Sequence, residues 1–375
     1  MTVHVLLFSY IMILGTFIYL KLAPYRISVT VLGNKRYVDH KALFLFFALI
    51  PLLLVHGLRA PSVGTDTIVY VKSYPLILKE SFEQIRQSSW ELFFMLFNKA
   101  VGMFSDNPQT MIFFASCVIV LGLGLFIYKS LDGEESAFIA MIVFFAFMHY
   151  VNSMNLLRQY LAMAFLMQIY WVLRKGITKK RLIIAILLII MAMQFHSMSF
   201  IGIVVIIPFL FKRITKRHIF YVFIASVTAA FALDKLLSLF LRFFVQYQKY
   251  IESFRITGEG FGPYYIAGIL VRIAFLYLVL KLAPDNEDNQ ELYRLSFIGV
   301  VSCALLLFKF QISLSLRLSY FLDIYFVVMI PKILNRIGKG KVPVTALLVL
   351  YGIVSFLYIL PSTERGCVPY LFFWQ

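Results

Sequence analysis

Three long apolar stretches, each interrupted near its midpoint by a few polar residues, constrain the fold of this chain most strongly. They cover residues 136–173, 182–211 and 293–331. Because a membrane-spanning helix needs roughly 20 apolar residues, each stretch is too long for one crossing and suits a hairpin of two short ones. The polar residues, which would lie at the hairpin tips, are Asn152, Asn155, Arg158 and Gln159, then His196 and Ser197, then Lys309, Gln311, Ser313, Ser315 and Arg317.

Composition and charge placement indicate an integral membrane protein. Hydrophobic residues make up 61% of the chain and charged residues 14%, so a water-soluble fold of 375 residues could not bury its apolar surface. Eighteen of the 35 basic residues fall in four segments where Asp39 is the only acid, namely 21–41, 174–181, 212–217 and 332–341. Positive loops stay in the cytoplasm. The net charge of +17 therefore reflects topology and attraction to membrane lipid, and nucleic-acid binding is not expected.

The basic loops orient about twelve predicted spans in one polytopic membrane domain, residues 1–375, with an all-α fold in the cytoplasmic (inner) membrane. Both termini come out on the far side, and the first span is expected to be an uncleaved signal anchor. The inner loops 129–135 and 281–292 are acidic and fit less well, but acidic residues carry little orienting weight. The predicted spans are residues 3–20, 42–58, 108–128, 136–150, 157–173, 182–196, 198–211, 219–235, 263–281, 293–308, 317–331 and 343–360.

Two large outer loops are predicted, residues 59–107 and 236–262. In the first, residues 76–104 are expected to form one or two amphipathic helices on the outer interface, because counting them as a crossing would move loop 174–181 outside. A thirteenth span with a compensating re-entrant segment is the alternative. The second loop mixes aromatic and basic residues, Tyr250 among them, and would serve as an anchor, a saccharide platform or both.

The motif search predicts no cofactor and no metal. The three cysteines form no Cys-x-x-Cys pair, so neither a disulfide framework nor a thiolate metal site is expected. No nucleotide-binding loop, zinc motif or Gly-x-Ser-x-Gly elbow is present. A soluble nucleotide donor handled on the inner face is therefore not expected, whereas Arg, His and amide groups on the outer side suit an anionic, membrane-borne substrate.

Asp66 follows the second predicted span in the sequence Gly-Thr-Asp-Thr. Glycosyl transfer needs a carboxylate near the attacking oxygen, so Asp66 could act as a general base or orient a sugar hydroxyl. Gly-Thr-Asp-Thr is also typical of an Asx-turn or a helix N-cap. Both interpretations remain open from the sequence.

Two arginines begin predicted spans in the outer layer. Arg158 lies beside Gln159 and one helical turn after Asn155, and guanidinium and amide groups together suit a phosphate clamp. Arg317 has Tyr320 on the same helical face. An arginine at a helix end can also simply extend to the lipid headgroups, and this is the alternative.

Three further ionisable residues lie within or beside apolar segments. His196, at the second hairpin tip, could donate to a phosphate or accept a proton, and a structural histidine bonded to a carbonyl is equally consistent. Arg272 and Asp323 fall inside predicted spans, where facing lipid would cost a few kcal/mol each. They would pair as a structural lock, or Arg272 would line the substrate cavity.

Five short motifs, in this order and over nearly the whole chain, resemble the EpsG-type, Wzy-like exopolysaccharide polymerases. They are GTDTIVY, NLLRQYLA, QFHSMSFIG, the Lys249-Tyr250 pair and RLSYFLDIYF. The resemblance implies a GT-C-like membrane glycosyltransferase, in which an acidic residue in the first outer loop precedes interfacial helices. The implied catalytic residues are Asp66, His196, Arg158 and Arg317, and the implied substrate-binding residues are Tyr70, Asn155, Gln159, Tyr250, Arg272 and Tyr320. One element departs from some Wzy polymerases, because Ser253 stands where an Arg-x10-Gly element starting at Arg242 would need glycine.

The resemblance also implies an activity. The protein would transfer a growing chain from undecaprenyl pyrophosphate to the next undecaprenyl-pyrophosphate-linked repeat unit on the outer face of the membrane, for exopolysaccharide, capsule or O-antigen. Flippase and chain-length regulator proteins are the implied partners. A lipid-linked oligosaccharide flippase or a glycan ligase is the alternative function. A transporter would need charges through the membrane midplane, whereas here they gather in the outer layer.

Overall fold

The computed structural model describes residues 1–22, 28–31, 34–37, 39–132, 136–243, 262–310, 314–361 and 365–375. Its helices are α1 (Thr2–Thr16), α2 (His40–Gly57), α3 (Thr67–Lys79), α4 (Phe82–Gln87), α5 (Leu92–Gly102), α6 (Pro108–Ser130), α7 (Ala137–Ala146), α8 (His149–Asn155), α9 (Leu157–Leu166), α10 (Gln168–Leu173), α11 (Lys179–Met193), α12 (Ile203–Leu210), α13 (Lys216–Phe243), α14 (Pro263–Leu282), α15 (Gln290–Leu307), α16 (Leu314–Asp323), α17 (Phe326–Leu334) and α18 (Lys341–Ile359). A small antiparallel hairpin of β1 (Ser28–Val31) and β2 (Asn34–Tyr37) adds to the helices that the sequence predicted.

Among the described residues, six helices are long and apolar enough to cross a membrane. A seventh crossing results if α7 and α8, bent by 60° at their junction, count as one broken span. The six are Thr2–Tyr19, His40–Gly57, Pro108–Ser130, Pro263–Leu282, Glu287–Leu307 and Lys341–Tyr358. The chain is therefore a multi-pass membrane protein, as predicted.

Of the remaining predicted spans, 219–235 lies within the 28-residue helix α13, and the others are shorter or divided helices. Residues 157–173 form α9 and α10, and residues 317–331 are shared between α16 and α17. Because a 10-residue helix rises only about 15 Å against a hydrocarbon core of about 30 Å, none of these helices crosses alone. The predicted hairpin tips do coincide with helix ends: α8 ends at Asn155, α11 ends shortly before His196, and the short 3₁₀ turn Phe308–Phe310 precedes α16.

The core lies among the short central helices. All nine residues of α17 and nearly all of α7 and α9 are buried. Apolar side chains on α11 and α18 are exposed, including Ile183, Leu187, Leu347 and Leu350. Such a surface suits contact with lipid tails, so these helices form the periphery of the bundle.

The acidic residues of the predicted inner loops pair with basic residues of other predicted inner loops. Arg174 Nε lies 2.6 Å from Glu291 Oε1, and the same guanidinium bonds Asp132. Lys332, which is 3% exposed, lies 3.1 Å from Glu291 Oε2. Partial burial opposes ionisation of Asp132, but the hydrogen bond from Arg174 and the charge of Lys332 lower the pKa of this carboxyl group. These contacts show that the loops lie on one side of the protein, which explains their acidic residues.

The C-terminal segment packs against the first predicted outer loop. The N–H of Ala60 donates to Leu371 O at 2.8 Å, and the N–H of Gly64 donates to Gly366 O, also at 2.8 Å. Cys367 is fully buried in this contact. The tail therefore packs directly beside the segment that leads into α3.

Both predicted outer loops contain helix. The region 76–104 holds the end of α3, then α4 and α5, and the 11 residues of α5 are too few for the alternative thirteenth span. In the second loop, α13 runs on to Phe243, so residues 236–243 are helical. The rest of that loop, including Tyr250, lies outside the described residues.

Candidate active site

A buried arginine positions the loop that carries Asp66. Arg59 is completely buried; its Nη2 donates to Met154 O at 3.0 Å, and its Nη1 donates to His56 O. The guanidinium thus joins carbonyl groups at the C-terminal ends of α2 and α8, which carry partial negative charge. The loop that follows is fixed against the end of α8, because Thr67 Oγ1 donates to Met154 O at 3.4 Å as well as to Val63 O within the loop at 2.8 Å.

Asn155 holds Asp66 in place through the main chain. Its Oδ1 accepts hydrogen bonds from the N–H of Asp66 and from Thr65 Oγ1, both at 2.8 Å. Asp66 stands at the N-cap position of α3, but its carboxylate makes no capping bond, and no hydrogen bond or ion pair to it forms within the described residues. The side chain of Asp66 therefore does not cap α3, in contrast to the capping interpretation. Asn155 thus positions the loop that carries Asp66, and the Asp66 carboxylate remains available for catalysis or binding.

Arg158 forms an ion pair that the sequence did not indicate. Its Nη1 lies 2.5 Å from Glu91 Oε2, and the other oxygen of Glu91 accepts the N–H of Ser197 at 2.9 Å. Glu91, at the start of α5, thereby connects this helix to α9 and to the second hairpin tip. The guanidinium of Arg158 also stacks 4.6 Å above the ring of Trp90. Arg158 is thus held in a defined position by Glu91 and Trp90.

Tyr70 belongs to the aromatic group beside this ion pair. Its ring lies 6.0 Å from that of Trp90 and 5.8 Å from that of Phe94, which packs on Trp90 in turn. Burial raises the pKa of Tyr70, while the charge of Arg158 lowers it and the charge of Asp66 raises it further. The predicted residues Asp66, Tyr70 and Arg158 therefore share one neighbourhood.

His196 lies at the edge of the same neighbourhood. The charges that act on its imidazole are Glu91, Arg158 and Arg317. Its Nδ1 is buried and has no hydrogen-bond partner within the described residues. The interpretation of His196 as a structural residue bonded to a carbonyl therefore receives no support from this atom.

Gln159 and Arg317 contact each other in an unexpected way. The side-chain amide of Gln159 donates to the main-chain oxygen of Arg317 at 2.7 Å, so α9 and α16 are joined at this point. Gln159 is 2% exposed. Its Nε2 therefore joins two helices, and the role of Gln159 in substrate binding stays a prediction. The side chain of Arg317 is exposed.

Arg272 and Tyr320 lie in a second polar group. Arg272 makes two bonds of 2.6 Å to Asp323, so the structural-lock interpretation describes this pair. Tyr320 accepts a bond of 3.2 Å from Arg365, which also donates to Asn152 Oδ1 at 2.6 Å. A cavity of about 50 Å³ opens between these groups, and it is lined among others by Arg272, Tyr264 and Tyr265. At about 10–15 Å³ for each solvent molecule, it has room for a few waters.

Three residues of the two groups escaped sequence reasoning. Glu91 precedes an apolar run in the first outer loop, and Arg365 is the one basic residue after Lys341. Both are charged residues next to apolar sequence, and this pattern could have indicated them as candidate site residues. The sequence indicated Asn152 only as a polar residue of the first hairpin tip, with no functional role. Its Nδ2 is buried without a partner in the described part of the chain.

Within the described residues, no group of three or more His, Cys, Asp or Glu side chains could hold a metal ion. The charged groups that converge are instead two guanidinium groups, one imidazole and two carboxylates, all near the ends of helices.

Helices that cross a membrane, with charged and aromatic groups collected at one of its predicted faces, define a multi-pass membrane protein with a polar site. The model of the EpsG family matches residues 42–372, and the chain belongs to this family. No curated protein and no solved structure matches the chain. Membership assigns the chain to exopolysaccharide polymerase-type proteins, which are glycosyltransferase-like in general.

Proposed function

We propose that this protein joins undecaprenyl-pyrophosphate-linked repeat units into a polysaccharide on the outer face of the cytoplasmic membrane. The observation that supports the proposal is that the charges of Arg158 and Arg317 act on His196, while the Asp66 carboxylate, which together with Arg158 acts on Tyr70, has no partner within the described residues. Such a site offers cations for a diphosphate and a base for a hydroxyl group.

The proposed reaction is a glycosyl transfer. The hydroxyl oxygen of the acceptor unit attacks the anomeric carbon of the growing chain, and the bond from that carbon to the pyrophosphate oxygen breaks. Undecaprenyl pyrophosphate leaves with the electron pair of that bond. The hydroxyl proton passes to Asp66 or to His196. Arg158 and Arg317 stabilise the negative charge that develops on the leaving group, a contribution of several kcal/mol in a partly dehydrated site.

The arrangement of the first outer loop supports a GT-C-like plan. Asp66 precedes α4 and α5, and α5 is attached to the second hairpin tip because the N–H of Phe93 donates to Gln194 O at 2.9 Å. In this proposal the shorter helices complete about twelve crossings in pairs. The ion-paired basic loops would then face the cytoplasm, which places the Asp66 loop outside.

The decisive experiment examines lipid-linked intermediates in a deletion strain. Loss of a polymerase leaves single repeat units on the outer leaflet, where a non-penetrating glycosidase or lectin reaches them. Loss of a flippase leaves the units inside. Loss of a ligase leaves long lipid-linked chains, so absence of accessible single units contradicts the proposal.

A further inference from the structure

Glu91 occupies the N-cap position of α5, but its carboxylate does not cap the helix. One oxygen accepts from Arg158 at 2.5 Å, and the other accepts from the N–H of Ser197 at 2.9 Å. The carboxylate is 17% exposed, so most of its former water shell has been replaced by these two donors. It therefore fills a small anion site formed by a guanidinium and a main-chain N–H.

Phosphate oxygens in proteins take the same two kinds of donor. The site also contains more polar atoms than a single carboxylate contacts. Arg158 Nε and His196 Nδ1 are buried polar atoms without a partner among the described residues. A diphosphate, which carries more oxygen atoms than a carboxylate, could use both. The geometry thus fits a larger anion than the one that now fills it.

Glu91 and a bound diphosphate would compete for the same donors. Both are anions, so they also repel each other at this distance. The Nη1 group of Arg158 cannot donate to a substrate phosphate in its present contact unless the carboxylate leaves. The side chain is free to do so without helix movement, since α5 keeps its attachment through Phe93 and Phe94, whose N–H groups donate to Gln194 O at 2.9 and 3.3 Å.

We propose that Glu91 stands in for the substrate's pyrophosphate in the empty protein and rotates away when the substrate binds. The inference rests on the proposed function for the identity of the anion. It makes Glu91 a competing, positioning residue, whose removal strengthens anion binding. A residue that only anchors α5 would have the opposite effect, because its loss would loosen the site.

The test uses the full-length protein in lipid nanodiscs, titrated with inorganic pyrophosphate. Trp90 stacks on Arg158 and reports binding by fluorescence once Trp171→Phe and Trp374→Phe remove the other two tryptophans. We expect Glu91→Gln to bind pyrophosphate roughly tenfold more tightly. In this variant pyrophosphate no longer has to break the charge-assisted bond between Arg158 and the carboxylate at position 91. Glu83→Gln on α4 removes an exposed carboxylate of the same loop and should leave binding unchanged.

Glu91→Asp provides a second variant, because the shorter side chain retracts from Arg158 while keeping its charge, and it should give a smaller gain. Unchanged or weaker binding in both variants, with a wild-type thermal midpoint, overturns the inference. The binding measurement involves no polymer synthesis. It can therefore fail while the deletion strain still shows a polymerase, and it can succeed if the deletion strain shows another function.

Discussion

Arg272 and Asp323 form a doubly hydrogen-bonded ion pair inside the helix bundle, with Nε to Oδ1 and Nη2 to Oδ2 both at 2.6 Å. The guanidinium also stacks 3.8 Å from the ring centre of Phe147 and donates to Gly268 O at 2.9 Å. The positive charge of Arg272 is thus compensated by groups of the protein itself. This pair joins α14 to α16 and does not offer a free cation to a substrate passing through the membrane.

We expect Asp323→Asn to destabilise the protein by about 3–5 kcal/mol, because it leaves the buried Arg272 without its counter-ion. The thermal midpoint and the monodispersity in detergent measure this effect. Replacing both residues by apolar ones, Arg272→Met with Asp323→Leu, should recover much of the loss. A wild-type midpoint for Asp323→Asn would argue that the pair is not a lock.

Asp66→Asn should abolish or shorten the polymer while expression stays normal. The amide keeps the shape of the side chain and loses the ability to take a proton. The main-chain bond to Asn155 is unaffected, so the loop should keep its position. Polymer length on a gel is the measurement, and wild-type length would return Asp66 to a structural role.

Arg158→Lys and Arg317→Lys should each reduce polymer formation by roughly 10-fold or more, since a point-charge ammonium cannot reproduce planar contacts to phosphate. For Arg158 the stacking on Trp90 is lost as well. Simple contact with lipid headgroups would accept lysine with little change. Arg181→Lys, on the predicted inner side, serves as the matched control, and normal polymer in both test variants would remove the phosphate-clamp assignment.

The orientation is testable with a membrane-impermeant thiol reagent on intact cells whose outer envelope has been permeabilised. A cysteine introduced at Met103, which is 85% exposed, should react, and one at Gly176 should not. The native Cys367 is a poor reporter because it is buried. Reaction at Gly176 with protection at Met103 would invert the topology.

Much of the polar site could be predicted from local sequence. An arginine, a histidine or an aspartate beside a long apolar run is costly unless it is paired or functional, so Asp66, Arg158, His196 and Arg317 stand out without any structure. Arg272 and Asp323 stood out for the same reason, and their pairing was one of two predicted outcomes. Gln159 shows the limit, because an amide next to a candidate arginine proved to bond a carbonyl on another helix.

The sequence by itself determined that this is a multi-pass membrane protein, since apolar length and basic loops act through the bilayer and need no knowledge of packing. Only the tertiary structure decided which charges meet. Arg158 and Glu91 are 67 residues apart, and Arg365 and Asn152 are 213 apart. Contacts of this kind depend on how helices pack, and packing is set by the whole core. The spacing of residues along the chain does not indicate how the helices pack.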